Sequence, residues 1–343
     1  MSENEAVLTI EDLEVEYRIK GKGRLRAVAG VSLEVARGEI VGLVGESGCG
    51  KSTVAKAVVG IEKPAAGEIR YRGETVVPLS RIHKRPVSQR NLQMIFQEPA
   101  SSLNPRRSIG AQVTDALRFA TTIPAERYDE RVKELLDLVG LPENAAEAYP
   151  HQFSGGQKQR ACIARALAAE PEVLVADEAI SSLDASAQAQ IADLLVELVK
   201  ELDIGLLFIS HDLAVISEIC DRIAVMYLGK IVEVGTPAQI WFEARHPYAR
   251  ALMRSVPSIG RDGFPEPLAG EVPNPADPPT GCRFHTRCPF VMDKCHTIEP
   301  QLIPMDGEGL NQAACLLQEP GNPVDLDAVA ARREAAKQET ASR

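Results

Sequence analysis

A glycine-rich segment has the residue types and spacing of a phosphate-binding loop. It reads GESGCGKST at residues 45–53 and follows the apolar run EIVGLV at residues 39–44. Glycine lets the backbone wrap closely enough for several N–H groups to point at phosphate oxygens, and a following helix adds its positive end. Lys51 would then neutralise the outer phosphates, and the Ser52 hydroxyl would be a Mg²⁺ ligand. The predicted nucleotide-binding residues of this loop are Gly45, Ser47, Gly48, Gly50, Lys51, Ser52 and Thr53.

Two adjacent carboxylates follow a second apolar run. Asp177 and Glu178 come directly after EVLVA at residues 172–176. Paired carboxylates at the end of a buried strand can divide their work, because one can hold a metal while the other orients or deprotonates water. An aspartate at this point could instead be a helix N-cap, but the phosphate-binding loop in the same chain favours the catalytic interpretation. We therefore expect Asp177 to bind Mg²⁺ and Glu178 to act on water.

A third segment offers a second place for an anion. It reads FSGGQKQR at residues 153–160 and opens a predicted helix that runs to about residue 169. Ser154 is the predicted N-cap, and the two glycines after it leave the first helical N–H groups accessible to an anion. Since the loop at 45–53 already accounts for one nucleotide, this helix start could serve a nucleotide held by another molecule.

A sheet must bring these groups together. EIVGLV, EVLVA and GLLFI at residues 205–209 are short apolar runs typical of strands buried on both faces of a mainly parallel sheet. Ligands bind at the carboxyl ends of such strands, so Ser210 and His211 should join the groups above. The alternating segments VLTIEDLEVEYRI and RLRAVAGVSLEV predict antiparallel strands. Helical periodicity from about residue 100 to 170 predicts an inserted helical subdomain in this α/β fold.

Size, charge and hydropathy exclude several classes of protein. The chain has 343 residues and a net charge of −10, which is the wrong sign for a protein that grips a nucleic-acid backbone over a wide surface. The acidic N-terminal sequence lacks the pattern of a secretion signal. The apolar runs are too short to cross a bilayer, so we expect a protein that reaches any membrane through a partner.

The motifs in their order resemble those of the ATP-binding cassette (ABC) transporter ATPases. GESGCGKST, FQ at residues 96–97, FSGGQ, VLVADE, SSLD at 181–184 and SH at 210–211 follow that family's order over about residues 7–240. The resemblance implies a P-loop NTPase fold of ABC type, with an antiparallel β subdomain, the helical subdomain and a bound Mg²⁺–ATP. It also implies two such domains paired head to tail, in which each FSGGQ segment completes the ATP site of the other.

The resemblance assigns roles to residues at matching positions. Glu178, His211 and Gln97 become the catalytic set, with Glu178 polarising water, His211 holding the γ-phosphate and Gln97 sensing Mg²⁺ and the γ-phosphate. The Mg²⁺ ligands become Ser52, Gln97 and Asp177. The further nucleotide contacts are Tyr17 on the adenine, Ser154, Gly155, Gly156 and Gln157 on the partner's γ-phosphate, and Asp184 between the two sites.

The subfamily is also indicated. FQEPASSLNPRRSIG, YPHQFSGGQ, HPYARAL and CRFHTRCPF are similar to segments of the oligopeptide/dipeptide permease ATPases. The resemblance implies a peripheral subunit on the cytoplasmic face of the inner membrane that powers uptake of peptides or peptide-like solutes. Its implied partners are a second ATPase, identical or paralogous, two transmembrane permeases and, indirectly, a periplasmic or lipid-anchored solute-binding protein. The alternative is an ABC ATPase acting on nucleic acid or ribosomes, which the acidic charge opposes.

Four of the seven cysteines are crowded near the C-terminus. Cys282, Cys288, Cys295 and Cys315 have the spacing Cys-x5-Cys-x6-Cys-x19-Cys. Four thiolates suit zinc or an iron–sulfur cluster, and four reduced thiols without a metal remain the alternative. The resemblance to peptide-permease ATPases favours a [4Fe-4S] cluster over zinc.

A change of composition divides the chain. Proline and glycine become frequent after HPYARALMRSVPS at residues 246–258, which predicts a boundary into a loop-rich unit. We expect a nucleotide-binding domain at residues 1–245, a small C-terminal extension with the four cysteines at 246–320, and a charged tail at 321–343.

Overall fold

The computed structural model describes residues 6–19, 23–79, 86–256, 268, 270–305, 309–318, 324–329 and 331. The predicted α/β fold is confirmed within these ranges. An antiparallel sheet of order β2-β1-β4-β5 stands beside a larger sheet of order β11-β12-β10-β9-β3-β8-β7-β6. The first sheet consists of β1 (Ala6–Ile19), β2 (Gly23–Ala36), β4 (Ala66–Tyr71) and β5 (Glu74–Thr75). The second consists of β3 (Ile40–Val44), β6 (Leu92–Ile95), β7 (Val173–Asp177), β8 (Gly205–Ile209), β9 (Arg222–Tyr227), β10 (Lys230–Gly235), β11 (Ile303–Pro304) and β12 (Gln312–Ala313).

Helices cover the larger sheet and fill the segment between β6 and β7. The helices in the described ranges are α1 (Lys51–Val58), α2 (Pro99–Ser102), α3 (Ile109–Ala120), α4 (Tyr128–Leu138), α5 (Gly155–Leu167), α6 (Ala185–Leu202), α7 (Leu213–Ile219), α8 (Pro237–Phe242) and α9 (Pro247–Arg254). α2 to α5 lie in the region for which helical periodicity predicted a subdomain. α4 and α5 cover most of the periodic segments ERVKELLDLVGL and GQKQRACIARALAA within that region.

The three apolar runs that predicted parallel strands form the centre of the larger sheet. β3 pairs in parallel with β8, and β8 pairs in parallel with β7. All residues of these strands are buried. Along β3, Ile40 and Val44 pack into the core on the helical side, whereas Val41 and Leu43 pack into the core shared with the antiparallel sheet. A strand that is apolar on both faces is therefore required at this position.

The strands of this sheet other than β3, β7 and β8 were not predicted. β6 is only four residues long, the apolar part of β9 is nearly as short, and β11 and β12 have two residues each. The apolar pattern of β10 is broken by the fully buried Glu233. Periodicity alone gives a weak signal for runs this short or this mixed. β6 and β9 extend the parallel part on either side, while β10 pairs antiparallel with β9.

The C-terminal residues are built onto this sheet. β12 pairs antiparallel with β10, and β11 pairs with β12. Ala314 N–H also donates to the Val232 carbonyl at 2.8 Å. Most of the predicted charged tail, including residues 332–343, lies outside the described residues. Leu326 of the described part is buried, and Asp327 pairs with Arg254 of α9 at 2.7 Å.

Candidate nucleotide site

The predicted phosphate-binding loop connects β3 to α1. Two of its glycines have no alternative. A Cβ at Gly45 would lie 2.1 Å from the Met226 carbonyl oxygen, and a Cβ at Gly50, where φ is +112°, would lie 2.3 Å from the Ala27 carbonyl oxygen. The backbone of neighbouring strands therefore excludes any side chain at either position.

Lys51 occupies the inside of this loop. Its side chain is buried, and its Nζ donates to the carbonyl oxygens of Gly45 at 2.7 Å and Glu46 at 3.1 Å. Gly50, in the left-handed conformation, is the N-cap of α1. The first N–H groups of α1 and the ammonium of Lys51 thus face the same hollow, which gives the loop a positive lining suited to phosphate.

The two predicted metal ligands from separate chain segments meet directly. The Ser52 hydroxyl donates to Asp177 Oδ1 at 2.9 Å, although the residues are 125 positions apart. Burial raises the pKa of the Asp177 carboxyl, while the Ser52 hydrogen bond opposes this effect. A cation bound here would compensate the desolvated carboxylate, so the hydroxyl and carboxylate fit Mg²⁺ in their chemistry.

The three predicted catalytic side chains converge on one carboxylate oxygen. Gln97 Nε2 donates to Glu178 Oε2 at 2.7 Å, and His211 Nδ1 lies 3.6 Å from the same oxygen. Gln97 follows β6, Glu178 follows β7 and His211 follows β8. The edge of the parallel sheet therefore assembles this group from three connections of the chain.

Glu178 has an unusual backbone. Its φ is +48°, a left-handed conformation that is uncommon for residues other than glycine. The turn is held on both sides, because the Glu178 N–H donates to the Ile209 carbonyl at 2.9 Å and the Ser181 hydroxyl donates to the Glu178 carbonyl at 2.9 Å. These bonds fix the carboxylate in front of β8.

Tyr17 reaches the phosphate-binding loop from the antiparallel sheet. Its hydroxyl donates to Thr53 Oγ1 at 3.5 Å, and burial raises the pKa of its hydroxyl. This contact places an aromatic ring beside the start of α1. The predicted stacking of Tyr17 on adenine stays a prediction.

The predicted N-cap at Ser154 is present. Ser154 Oγ accepts from the Gln157 N–H at 3.3 Å, and Gln157 Oε1 accepts from the Ser154 N–H at 3.0 Å. Ser154 and Gly155 are exposed. A Cβ on Gly155 would lie 3.1 Å from the Leu183 side chain, so this helix start packs next to the segment that ends at Asp184. Asp184 is itself exposed and caps α6 by accepting from the Ala187 N–H at 2.9 Å.

The four C-terminal cysteines lie in one compact unit. The Cys282 N–H donates to the Cys295 carbonyl at 2.9 Å, and the Phe290 N–H donates to the Cys288 sulfur at 3.4 Å. Burial raises the pKa of the Cys315 thiol to about 12, and the other three thiols add to this increase. In the part of the chain that the structure describes, however, no group of three or more potential ligands is arranged to hold a metal ion. The metal centre at these cysteines therefore stays a prediction.

Sequence reasoning missed a contact between this unit and the phosphate-binding loop. Arg287, which directly precedes Cys288, donates to both carboxylate oxygens of Glu46. The segment CRFHTRCPF, which contains Arg287, indicated the subfamily. Nothing in its pattern predicted a contact with the phosphate-binding loop.

Comparisons with known proteins agree with this site. Residues 28–181 match the family described as "ABC transporter", and residues 232–295 match the family described as "Oligopeptide/dipeptide transporter, C-terminal region". The di/tripeptide transport ATP-binding protein DppF of Pseudomonas aeruginosa is 41% identical over 91% of this chain and 97% of its own. A putative peptide import ATP-binding protein of Brucella ovis is 44% identical over 86% of this chain and 93% of its own.

Two solved structures have the same cassette fold. The dimeric post-hydrolysis structure of the ATP-binding cassette MJ0796 with ADP and Pi has a TM-score of 0.60, 28% identity, and covers 67% of this chain and 98% of its own. CbiO1 of Clostridium perfringens, part of an ABC transporter complex, has a TM-score of 0.60 and is 30% identical. The match covers 69% of this chain and 91% of CbiO1.

The fold and the site define an ATP-hydrolysing ABC cassette. The chain belongs to the ABC transporter ATP-binding proteins, in the branch that carries the oligopeptide/dipeptide transporter C-terminal region. In the ranges that the structure describes, none of the helices combines the length and apolar character needed to cross a bilayer.

Proposed function

We propose that this chain is the ATPase subunit that powers uptake of peptides or peptide-like solutes through separate membrane permeases. One observation carries this proposal: an assembled nucleotide site and an oligopeptide/dipeptide transporter C-terminal region occur in the same chain. The relatives named above as peptide transport and import proteins support it. The alternative, action on nucleic acid or ribosomes, is not favoured.

ATP binding starts at the phosphate-binding loop. In the proposal, Lys51 moves its hydrogen bonds from the loop carbonyls to the outer phosphates, and the first N–H groups of α1 bind phosphate oxygens. Ser52, Asp177 and Gln97 would hold Mg²⁺, which supplies Lewis-acid polarisation of phosphate when bound. Tyr17 would lie against the adenine.

Hydrolysis then depends on the Glu178 carboxylate. We assign Glu178 to the attacking water, whose oxygen forms a bond to the γ-phosphorus while the bond to the bridging oxygen of ADP breaks. Gln97 and His211 position the carboxylate through Oε2. A carboxylate held in this way can orient the water or accept its proton.

A second cassette completes the site. Ser154 and Gly155 are exposed, so their helix start is accessible to a nucleotide on another subunit. In this arrangement Ser154, Gly155, Gly156 and Gln157 bind the partner's γ-phosphate and Asp184 lies between the two sites. The dimeric state of the solved cassette with ADP and Pi supports the pairing.

The proposed subunit works at the cytoplasmic face of the inner membrane. ATP closes the two cassettes together, hydrolysis lets them part, and the motion drives two permeases that receive solute from a periplasmic or lipid-anchored binding protein. The segment EPASSLNPRRSIG after Gln97 is the proposed contact with a permease.

We also propose a metal centre at Cys282, Cys288, Cys295 and Cys315, with a [4Fe-4S] cluster favoured over zinc. Four thiols are the donor set of both groups, and the thiols are near enough for each to affect the pKa of Cys315. No step of ATP hydrolysis passes through this centre.

Reconstitution tests the function. The chain, co-expressed with peptide permease subunits and a second ATPase of the same organism, should form a complex in detergent whose ATPase rate rises when a loaded solute-binding protein is added. Uptake of a labelled dipeptide into vesicles should require ATP inside them. Copurification with ribosomes or DNA and no permease would reject the proposal.

A further inference from the structure

One residue of the phosphate-binding loop is held by the C-terminal half of the chain. Glu46 follows Gly45 directly, and its side chain is 23% exposed. Its backbone N–H donates to the Tyr248 hydroxyl at 2.9 Å. Its carboxylate accepts from Arg287 at 2.7 and 3.1 Å. Both partners are about 200 or more positions away in the sequence, since the separations are 202 and 241.

Arg287 is enclosed to a degree that is rare for an arginine. Its side chain is 3% exposed, and the guanidinium carbon lies 5.9 Å from the ring centres of both Tyr227 and Phe284. The two-pronged contact with Glu46 matches the geometry in which arginine and carboxylate bind most strongly. A buried charge of this kind is tolerated only when a partner compensates it.

The aromatic residues around Arg287 connect it to the second contact. Tyr227 and Tyr248 have ring centres 4.6 Å apart, and Phe284 lies 5.3 and 5.4 Å from them. Tyr248 opens α9 next to His246, whose N–H donates to the buried Glu233 carboxylate at 2.7 Å. The loop residue Glu46 is therefore held by a packed group that is anchored to β10.

The charge of Glu46 conflicts with the work of its loop. The loop binds a triphosphate, and Lys51, which neutralises phosphate, donates to the Glu46 carbonyl at 3.1 Å. A carboxylate at that point with no neutralising partner would repel the nucleotide and attract Lys51 away from it. Arg287 neutralises this charge and holds the Glu46 carboxylate against the segment that carries Cys282 and Cys288.

We propose that Arg287 is a positioning residue for ATP binding, which acts by neutralising Glu46 and holding its carboxylate away from the phosphates. The C-terminal unit thereby contributes to the affinity of the phosphate-binding loop. The proposal rests on the nucleotide site described under the proposed function, but it does not depend on a metal at the four cysteines.

Paired variants of the full chain separate charge from structure. In Arg287→Ala the unpaired Glu46 should raise the KM for ATP about tenfold, while kcat at saturating ATP stays within about twofold. In Glu46→Gln the KM should stay the same or fall, because the negative charge is gone. Both variants should melt at lower temperature, since each removes the ion pair between the two side chains. Thus only Arg287→Ala should raise the KM, whereas both single variants should lower the melting temperature.

Further variants control the result. Arg287→Lys keeps the charge and should retain most of the native ATP affinity. If Arg287→Ala does not fold, the KM of Arg287→Lys is compared with that of Glu46→Gln instead. The double variant Glu46→Gln with Arg287→Met should return KM to within about threefold of the native value. Lys294→Ala removes an exposed cation of the same unit and should change neither quantity.

The outcomes are distinct. An unchanged KM in Arg287→Ala would overturn the proposal, and so would an equal rise of KM in Arg287→Ala and Glu46→Gln, because a purely structural role affects both alike. A native chain that binds no ATP would instead overturn the nucleotide site itself.

Discussion

The nucleotide site and the four-cysteine unit are assembled in different ways. At the nucleotide site, the ends of β3, β6, β7 and β8 place side chains from distant parts of the chain within hydrogen-bond distance, as for Ser52 with Asp177. In the cysteine unit, short turns such as Cys282 to His285 and the bond from Cys282 to Cys295 join the cysteine segments, but in the described residues they form no set of three or more potential metal ligands. The sheet thus prepares the first site before any ligand binds, whereas the second depends on what its thiols bind.

The strongest test of the prepared site is Glu178→Gln. The amide keeps the size of the side chain but removes the base, so hydrolysis should fall by about 10² or more while ATP still binds. ATP should then hold two chains together, which size-exclusion chromatography would detect. Glu172→Gln, at the opposite end of β7, is the matched control and should hydrolyse ATP at a near-native rate. A near-native rate in Glu178→Gln would remove Glu178 from its role.

The second test asks whether the exposed helix start serves another chain. Gly155→Asp adds a negative charge where the partner's γ-phosphate is proposed, so hydrolysis should fall at least about tenfold while a single chain still binds ATP. Gly155→Ala is the control for size, because it adds a Cβ, which would lie 3.1 Å from the Leu183 side chain, but no charge. Loss of ATP binding by the isolated chain would mean that this segment acts on its own nucleotide.

The third test addresses the cysteine unit. Anaerobically purified protein should absorb broadly near ~400 nm and contain about four irons per chain if the cluster is cubane. Cys288→Ser should remove the colour and lower ATP affinity by less than Arg287→Ala does. One zinc per chain in a colourless preparation would reject iron, and absence of both metals would reject the metal centre.

The smallest effect concerns the junction of the two regions. Burial lowers the pKa of His246 to about 3, so the unfolded chain binds a proton below about pH 6.5 that the folded chain does not. Stability from this group is therefore lost as the pH falls from about 6.5 toward 3. His246 caps α9, because its Nδ1 accepts from the Tyr248 N–H at 3.0 Å. His246→Asn keeps a capping side chain and should lack this loss of stability, a difference of about 2 kcal/mol between pH 6.5 and 5.

Melting temperatures against pH would show the difference. His151→Asn removes an exposed histidine and should follow the native curve. Burial has the opposite consequence at Glu233, because it raises the pKa of that carboxyl to about 8. The stability that Glu233 contributes therefore falls as the pH rises from about 4.5 toward 8. Parallel curves for the native chain and His246→Asn would contradict the assignment to His246.

The sequence predicts the nucleotide site because the position of that site depends on the topology of the sheet. Apolar runs followed by polar residues predict parallel strands whose ends meet, whatever their order in the sheet. The pairing of Glu46 with Arg287 could not be predicted in this way, because no periodicity relates residues 241 positions apart. The short strands β6 and β9 and the mixed strand β10 were missed because packing and neighbouring strands define them, which the local sequence pattern does not show.

The two short strands β11 and β12 have a consequence for aggregation. Without them, β10 would be an edge strand with a row of unpaired N–H and C=O groups, and such edges pair readily with other chains. The bond from Ala314 to Val232 and the pairing of Ala313 with Glu233 occupy that edge. A chain truncated before β11 should therefore self-associate and aggregate during folding, even though every residue of its nucleotide site remains.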